Sequence, residues 1–273
     1  MILELTAAEL CLQKPSCAVL LRLLYADTQV EPIDAPNISI LQSFVIRCDE
    51  VPPLVGVELG LKATTSWPRQ LTCNGIPFIR LMDRLYLPEP LATEVMIPAL
   101  NACAQIYEQL IDAERNKANI ARLVDAIMYS TPQSGYPLMI LDFGCGSGLS
   151  AIALGILIRR QELALFGFDN SPRMRQIATG RGILQIGRSG SARFQGIFAS
   201  YVLHAHTPDV DIAWIAHALM PQGVFAANWL HGSKAEMQSV LDRLIAARNG
   251  TGTIIEGGDG WINDPILVFV AHD

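Results

Sequence analysis

The residues best suited to chemistry form a short run in the middle of the chain. Asp142 precedes three glycines at alternating positions (Gly144, Gly146 and Gly148), and a second acid, Asp169, lies 21 residues past the last glycine. Alternating glycines let a backbone turn tightly and approach a ligand that a Cβ atom would exclude. A helix that begins at such a turn offers free N–H groups to polar atoms. A carboxylate at the end of the next strand can accept both hydroxyls of a ribose, so the pattern predicts a nucleoside site.

Two classes of nucleoside cofactor use such a turn, and spacing and charge distinguish them. A dinucleotide site favours Gly-x-Gly-x-x-Gly, whose third glycine allows close helix packing beside a pyrophosphate. Here the spacing is Gly-x-Gly-x-Gly, and the next residue, Leu149, is not small. Asp142 would repel a pyrophosphate, whereas it suits the ammonium group of a methionine moiety. The pattern therefore favours S-adenosyl-L-methionine (SAM).

Strands and helices are predicted to alternate around this turn. The predicted strands are 138–143, 163–168, 183–186, 194–200 and 224–228, and the predicted helices are 150–160, 171–179, 212–219 and 234–248. Residues 253–255 and 266–271 are predicted to form a closing hairpin. Apolar strands that alternate with helices indicate an α/β domain over 136–273, with a mostly parallel sheet and an added antiparallel strand.

Residues 1–135 are predicted to form a mainly helical N-terminal region. Apolar stripes favour helices over 15–26, 38–47, 90–114 (with Pro98 as a potential kink) and 118–129. Residues 51–79 are rich in Pro and Gly and give no prediction, and 130–135 resembles a linker. We expect this region to act as a lid that binds substrate, and its apolar helices to offer a homodimer interface.

Residues 137–230 resemble the class I SAM-dependent methyltransferase family of small-molecule type. Four segments carry the resemblance in the expected order: Asp142–Gly148, Gly167–Met174, Ile197–His204 and Leu219–Phe225. The resemblance implies a Rossmann-like sheet of seven strands that ends in an antiparallel hairpin. It also implies SAM as cofactor and S-adenosylhomocysteine as product.

The same resemblance assigns cofactor contacts residue by residue. It implies that the methionine part is held by Asp142 and by the turn that follows, made of Gly144, Cys145, Gly146, Ser147 and Gly148. It implies that Asp169 holds the ribose and that Ala199 and Ser200 lie beside the sulfonium. Asn170 follows the ribose acid and is placed to touch the adenine. The chain departs from the family after the third strand, where Gly187 and Arg188 stand in place of the acid often aimed at the adenine amine.

Three side chains are candidate catalytic residues. His204 occupies the position where small-molecule O-methyltransferases place a general base, and an imidazole titrates near neutrality. The alternative is a histidine that orders the loop. Tyr201 and Asn228 end predicted strands, so they are placed to orient an acceptor or the amino acid end of SAM. The alternative for both is local hydrogen bonding.

The composition limits the partners. The 273 residues include 20 Lys and Arg against 26 Asp and Glu, and this net charge of −6 argues against binding of nucleic acid. The six cysteines contain no C-x-x-C pair, which predicts no metal site and a cytoplasmic location. No apolar run approaches the roughly 18 residues of a membrane span.

The leading hypothesis is methyl transfer from SAM to a small-molecule metabolite, in secondary metabolism. Nucleic-acid methyltransferase motifs are missing, because Ser200-Tyr201-Val202 stands where a Pro-Pro-aromatic sequence would follow the fourth strand. Two alternatives remain open. One is attack on the aminocarboxypropyl carbon of SAM, for example to form azetidine-2-carboxylate and methylthioadenosine. The other is a catalytically silent binding protein with the SAM fold.

Overall fold

The chain divides into two compact units, Met1–Ile111 and Asp112–Asp273. The computed structural model describes residues 17–23, 33, 35–48, 51–62, 67–73, 75–82, 84–89, 93–131, 137–188, 192–203, 207–229, 234–257 and 264–272. Within these ranges no helix is both long and apolar enough to cross a membrane. The same ranges contain no group of His, Cys, Asp and Glu side chains that could hold a metal ion.

The first unit is built on a β-sheet, so the predicted mainly helical region is wrong. Its six strands are paired in the order β2-β3-β1-β6-β5-β4. Their bounds are β1 Cys17–Leu23, β2 Ile38–Cys48, β3 Val51–Leu61, β4 Gln70–Cys73, β5 Ile76–Met82 and β6 Leu85–Pro88. The helices α1 (Thr93–Cys103) and α2 (Tyr107–Leu110) follow, separated by a short 3-10 turn over Ala104–Ile106.

Burial explains why the helix predictions over 15–26 and 38–47 failed. β1 lies between β3 and β6, and every side chain from Cys17 to Leu21 is buried. A strand buried on both faces is a continuous apolar run, which periodicity cannot distinguish from a buried helix. In β2 the β-branched residues Ile38, Ile40 and Val45 favour a strand. The stretch 51–79, which had no prediction, forms β3, β4 and the first part of β5.

The predicted helix over 90–114 is interrupted at its C-terminal end. α1 contains Pro98 and ends at Cys103, and α2 ends at Leu110. A new helix, α3 (Ala113–Ser130), starts after Asp112, whose carboxylate accepts a hydrogen bond from the backbone N–H of Arg115 at 3.0 Å. This is a standard N-cap, and it fixes the start of α3 as a separate helix. The predicted helix 118–129 lies within α3.

The second unit contains the predicted, mostly parallel sheet. Its seven strands are ordered β12-β13-β11-β10-β7-β8-β9, and only β13 runs antiparallel to its neighbours, β11 and β12. This confirms the sheet and its C-terminal hairpin. The bounds are β7 Leu138–Phe143, β8 Leu163–Phe168, β9 Leu184–Gln185, β10 Phe194–Ser200, β11 Leu219–Asn228, β12 Gly250–Ile255 and β13 Ile266–Ala271.

The helices of the second unit follow the predicted alternation, with one division. After α3, which also belongs to this unit, they are α4 Leu149–Ala153, α5 Gly155–Arg159, α6 Pro172–Gly180, α7 Asp209–Ala218 and α8 Lys234–Ala247. The predicted helix 150–160 is divided at Leu154, whose backbone leaves helical geometry (φ −101°, ψ 9°). Ser171 caps α6 by accepting from the N–H of Met174 at 3.2 Å, with Pro172 in the first turn, as predicted.

One face of this sheet is covered closely by α3. A Cβ atom on Gly196 of β10 would lie 2.5 Å from Cγ2 of Ile127 in α3. Such a distance is sterically impossible, so only glycine lets the helix approach this part of β10. α3 also contacts β11 and β13, so it packs on this sheet as part of the second unit.

Candidate functional site

Three of the predicted site residues lie in a row on one face of the second sheet. β7 pairs Asp142 with Phe198 of β10, and β10 pairs Ser200 with Asn228 of β11. Paired residues share a face of the sheet, and so do residues two apart in one strand. Asp142, Ser200 and Asn228 therefore share one face, at the carboxyl ends of their strands. Gly196 lies on the same face, which is the face that α3 covers.

The glycine turn connects two neighbouring strand ends. Gly144, Gly146 and Gly148 have positive φ angles of 78°, 51° and 84°, a region that other residues seldom adopt. The N–H of Gly144 donates to the carbonyl of Phe168 at 2.7 Å, which holds the turn against the end of β8. A Cβ atom on Gly144 would lie 2.3 Å from Cγ2 of Val202. The turn is thus confined between the segments that follow β8 and β10.

Asp169 is bonded to the glycine turn. One carboxylate oxygen accepts from the N–H of Gly146 at 2.8 Å, and the other accepts from the N–H of Ser171 at 2.7 Å. Burial raises the pKa of this carboxyl group, and those two backbone hydrogen bonds oppose the rise. Each carboxylate oxygen has two acceptor sites, so each can still accept one ribose hydroxyl.

Asp142 is a buried acid bonded to a serine hydroxyl. Only 4% of it is exposed, and the hydroxyl of Ser150 donates to its carboxylate at 2.5 Å. Burial raises its pKa to about 7, and the charge of Asp169 adds to this effect. In the described part of the chain no Lys or Arg forms a salt bridge with Asp142. A positively charged ligand group would therefore favour its ionised form.

The other predicted cofactor residues surround this turn. Cys145 is buried, and burial together with the charge of Asp142 raises the pKa of its thiol, so it is not a thiolate nucleophile. Ser147 and Ala199 are buried, whereas Ser200 is partly buried at the end of β10. Asn170 is exposed, and its side-chain oxygen accepts from Arg188 at 3.4 Å.

An arginine stands where the family often carries an acid. The guanidinium carbon of Arg188 lies 5.0 Å from the centre of the Phe168 ring, a cation–π contact. Its Nη2 atom forms a 2.6 Å ion pair with Asp211 of α7. Trp214 donates from its ring N–H to the Arg188 carbonyl at 3.0 Å and packs on Phe168. The carboxylate of this region is thus supplied by α7 and is already paired.

Two of the three candidate catalytic residues fall within the described ranges, and His204 lies outside them. Tyr201 has a left-handed backbone (φ 58°), and its N–H donates to the side-chain oxygen of Asn228 at 3.0 Å. Its hydroxyl donates to Asp264 and accepts from the amide nitrogen of Asn119 at 2.6 Å. Burial and the charge of Asp264 raise the pKa of Tyr201 above its usual value. Tyr201 is therefore a protonated anchor at neutral pH.

Three residues that the sequence analysis missed complete a polar network, defined here as Arg115, Asn119, Tyr201 and Asp264. Nη2 of Arg115 forms a 2.7 Å ion pair with Asp264, and Asn119 lies 3.3 Å from the other oxygen of that carboxylate. Arg115 and Asn119 are four residues apart and so share a face of α3. This spacing could have been recognised in the sequence. Asp264 lies two residues before Ile266, which pairs with Asn228 across β11 and β13. Only the strand register shows that Asp264 lies near Asn228 and Tyr201.

Unbonded polar atoms occur in and beside this network. Among the described residues, six buried side-chain nitrogen and oxygen atoms lack a hydrogen-bond partner. Two belong to the Arg188–Asp211 pair, and one is Nε1 of Trp229, whose side chain packs in the hydrophobic core on the other face of the sheet. The other three are Nε of Arg115, Oγ of Ser200 and Nδ2 of Asn228. A buried polar atom without a partner costs about 1–3 kcal/mol, so these three atoms are candidates to bind polar ligand atoms.

The acid end of the row fits a sulfonium nucleoside. Asp169 has acceptor sites left for two hydroxyls, and the ionised form of Asp142 suits a cationic group. The seven-stranded sheet also ends in the antiparallel hairpin that the sequence resemblance implied. The second unit resembles the class I SAM-dependent methyltransferases.

Comparisons with solved structures find similar proteins at low sequence identity, and those described here have TM-scores below 0.5. The chain is similar to SAM-bound CalS10, an amino pentose methyltransferase from Micromonospora echinaspora, with 15% identity and a TM-score of 0.46 over 61% of this chain and 97% of that one. It is similar to DesVI of Streptomyces venezuelae, with 16% identity and a TM-score of 0.45 over 62% and 98%. It is also similar to the magnesium protoporphyrin IX methyltransferase ChlM of Synechocystis PCC 6803, with 14% identity and a TM-score of 0.40 over 67% of this chain and 86% of that one. No protein-family model and no curated protein sequence matches the chain.

Proposed function

We propose that this protein is a SAM-dependent methyltransferase that acts on a small-molecule metabolite, in the cytoplasm and in secondary metabolism. The hydrogen bond between the N–H of Gly146 and the carboxylate of Asp169 is the main support, because it joins the glycine turn to the acid suited to a ribose. Buried Asp142 beside them supplies an acceptor for a cation. The partner expected is a small-molecule acceptor, with no nucleic acid and no membrane.

Each residue of the acid end has a defined task in this proposal. SAM, when bound, supplies a methyl group on a positively charged sulfur. Asp169 accepts hydrogen bonds from the ribose, and Asp142 attracts the ammonium group of the methionine part. The strand ends at Ala199 and Ser200 lie beside the reacting centre, where proximity and the exclusion of water favour transfer.

The acceptor is expected at the other end of the row. Tyr201 and Asn228 position it there, and His204 is the candidate base that deprotonates it. Residues 1–135, expected to act as a lid that binds substrate, stay the proposed acceptor-binding region. A homodimer formed through the same region is retained as a proposal.

Calorimetric titration with S-adenosylhomocysteine tests the cofactor assignment. Asp169→Ala removes two charge-assisted acceptors, and with about 1.5–3 kcal/mol for such bonds we expect affinity to fall roughly 10- to 100-fold. Asp125→Ala is the matched control, because Asp125 is an exposed acid on α3. Equal affinity in the wild type and Asp169→Ala would remove the basis of the proposal.

Product analysis tests the reaction itself. The protein is incubated with SAM alone and with SAM plus a metabolite extract, and the nucleosides formed are identified by mass spectrometry. S-adenosylhomocysteine that appears only with the extract supports methyl transfer. Methylthioadenosine formed without any acceptor supports attack on the aminocarboxypropyl carbon, and tight binding without turnover supports a silent binding protein.

A further inference from the structure

We infer that the nucleoside site accepts a purine with a 6-keto oxygen at least as tightly as adenine, because Asn170 and Arg188 present hydrogen-bond donors to the base. These two residues are named here the base subsite. The inference rests on the proposed function, since it concerns the base of the same nucleoside. It assigns the class of purine that the site takes.

The strand order places the base subsite beyond the ribose acid. Asp142 lies in β7, Asp169 directly follows β8 and Arg188 lies three residues after β9. These three strands are parallel neighbours in that order, so their carboxyl ends meet at one edge of the sheet. In SAM the ribose lies between the base and the amino acid part. With the amino acid part at Asp142 and the ribose at Asp169, the base reaches the end of β9.

The guanidinium group of Arg188 is fixed but has donors left. Its Nη2 atom forms the 2.6 Å ion pair with Asp211, and its guanidinium carbon lies 5.0 Å from the centre of the Phe168 ring. The side chain is nevertheless 35% exposed. Arginine carries five N–H donors, and the contacts in the described part of the chain use only those of Nη2. The remaining donors can therefore bond to a ligand.

The acceptors beside Arg188 are already engaged. The side-chain oxygen of Asn170 accepts from Nη2 of Arg188 at 3.4 Å, so the two N–H donors of this exposed amide group remain. The carboxylate of Asp211 is occupied by the ion pair, and only 9% of its side chain is exposed. Among the described side chains, both acceptors near the base subsite thus face the guanidinium group, whereas its donors are available.

A 6-oxopurine matches these donors better than adenine does. Its keto oxygen and N7 are adjacent acceptors, and an arginine bonded to this pair is the most common base-specific contact in protein–DNA complexes. Adenine has the same N7, but an amine donor replaces the keto oxygen. This amine would face a cation and further donors. A good bidentate contact corresponds to about 5- to 150-fold in affinity, and we expect the lower end because Arg188 also holds Asp211.

Calorimetric titration with two nucleosides tests the inference. The ligands are S-adenosylhomocysteine and S-inosylhomocysteine, in which a keto oxygen replaces the amine of the base. The proteins are the wild type, Arg188→Met and the control Arg193→Met. Arg188→Met removes the donors and leaves Asp211 free to accept from the adenine amine. Arg193 is exposed and precedes β10, so it lies at the opposite edge of the sheet.

The ratio of the two dissociation constants is the measurement that decides. We expect the wild type and Arg193→Met to bind S-inosylhomocysteine as tightly as S-adenosylhomocysteine or up to about fivefold more tightly. In Arg188→Met the ratio should move about fivefold or more toward S-adenosylhomocysteine. The inference is overturned if the wild type binds S-adenosylhomocysteine more than about twofold more tightly than the 6-oxopurine, or if Arg188→Met keeps the wild-type ratio.

A second variant covers the case in which Arg188→Met does not fold, which thermal unfolding would show. Asn170→Ala changes an exposed side chain, and the loss of its donors should weaken S-inosylhomocysteine about threefold relative to S-adenosylhomocysteine. An unchanged ratio in this variant would also overturn the inference. Failure of the proposed function looks different, because the wild type would then bind neither nucleoside. Tight binding of S-adenosylhomocysteine alone would contradict the base preference and leave the proposed function standing.

Discussion

The two ends of the polar row on the second sheet differ in how their polar atoms are bonded. At the acid end, both carboxylates already accept hydrogen bonds, Asp142 from Ser150 and Asp169 from two backbone N–H groups. At the donor end, the amide nitrogen of Asn228 and the hydroxyl of Ser200 have no partners among the described residues. One end is therefore complete before a ligand binds, and the other has donors in excess.

This difference indicates a ligand that presents different groups to the two ends. The acid end has carboxylates that suit a cation and hydroxyls, whereas the donor end has an unbonded amide N–H and an unbonded hydroxyl that suit acceptor atoms. The ends also differ in origin: Ser150 is 8 residues from Asp142, whereas Arg115 is 149 residues from Asp264.

The largest expected effect comes from crowding the acid end. In Gly144→Ala the new Cβ atom would meet Val202 at 2.3 Å at a φ of 78°, so left-handed backbone and overpacking together should cost about 2–5 kcal/mol of unfolding free energy. Gly182→Ala is the matched control, since its φ is 86° but nothing lies within 4 Å, and it should cost only about 1–2 kcal/mol. Urea unfolding measures both. Equal losses of unfolding free energy in the two variants would show that the Val202 side chain moves aside, so that it does not pack tightly against the glycine turn.

The same local origin explains how much could be predicted from the sequence. The acid end, from Asp142 to Asp169, depends on a strand, a glycine turn and a helix that follow one another, so spacing alone located its residues. The order of strands and helices in the second unit and its closing hairpin were predicted for the same reason. The placement of Tyr201 and Asn228 at strand ends also came from local pattern.

The rest depended on contacts that no local pattern records. The partners of Tyr201 come from α3 and from Asp264, two residues before β13, so the polar network required the strand register. In the first unit, β1 has the composition of a buried helix because both of its faces are covered. The interruption between α1 and α3 followed from the cap at Asp112, which the continuous apolar stripe concealed.

A second prediction sharpens the comparison through pH. The folded pKa of Asp142 is about 7, raised from 3.8 by burial, so the native state binds a proton that the unfolded state has lost between these values. This contribution to stability is greatest below pH 4, falls as the pH rises to 7 and is then constant. Between pH 5 and 8 the unfolding free energy should fall by about 2–3 kcal/mol from this group. Asp142→Asn should remove that part of the slope, and identical slopes in both proteins would contradict the assignment.

The smallest effect is expected at the donor end, from Tyr201→Phe. The variant removes a hydroxyl bonded to Asp264 and Asn119, while Arg115 still pairs with that carboxylate. Because a hydrogen bond to a charged group contributes about 1.5–3 kcal/mol and part of it is replaced, we expect a loss of about 1–2 kcal/mol in urea unfolding. Nucleoside binding at the acid end should be unchanged in calorimetry, since the N–H of residue 201 still donates to Asn228. A large fall in affinity for S-adenosylhomocysteine would instead show that the two ends are coupled through the turn at Val202.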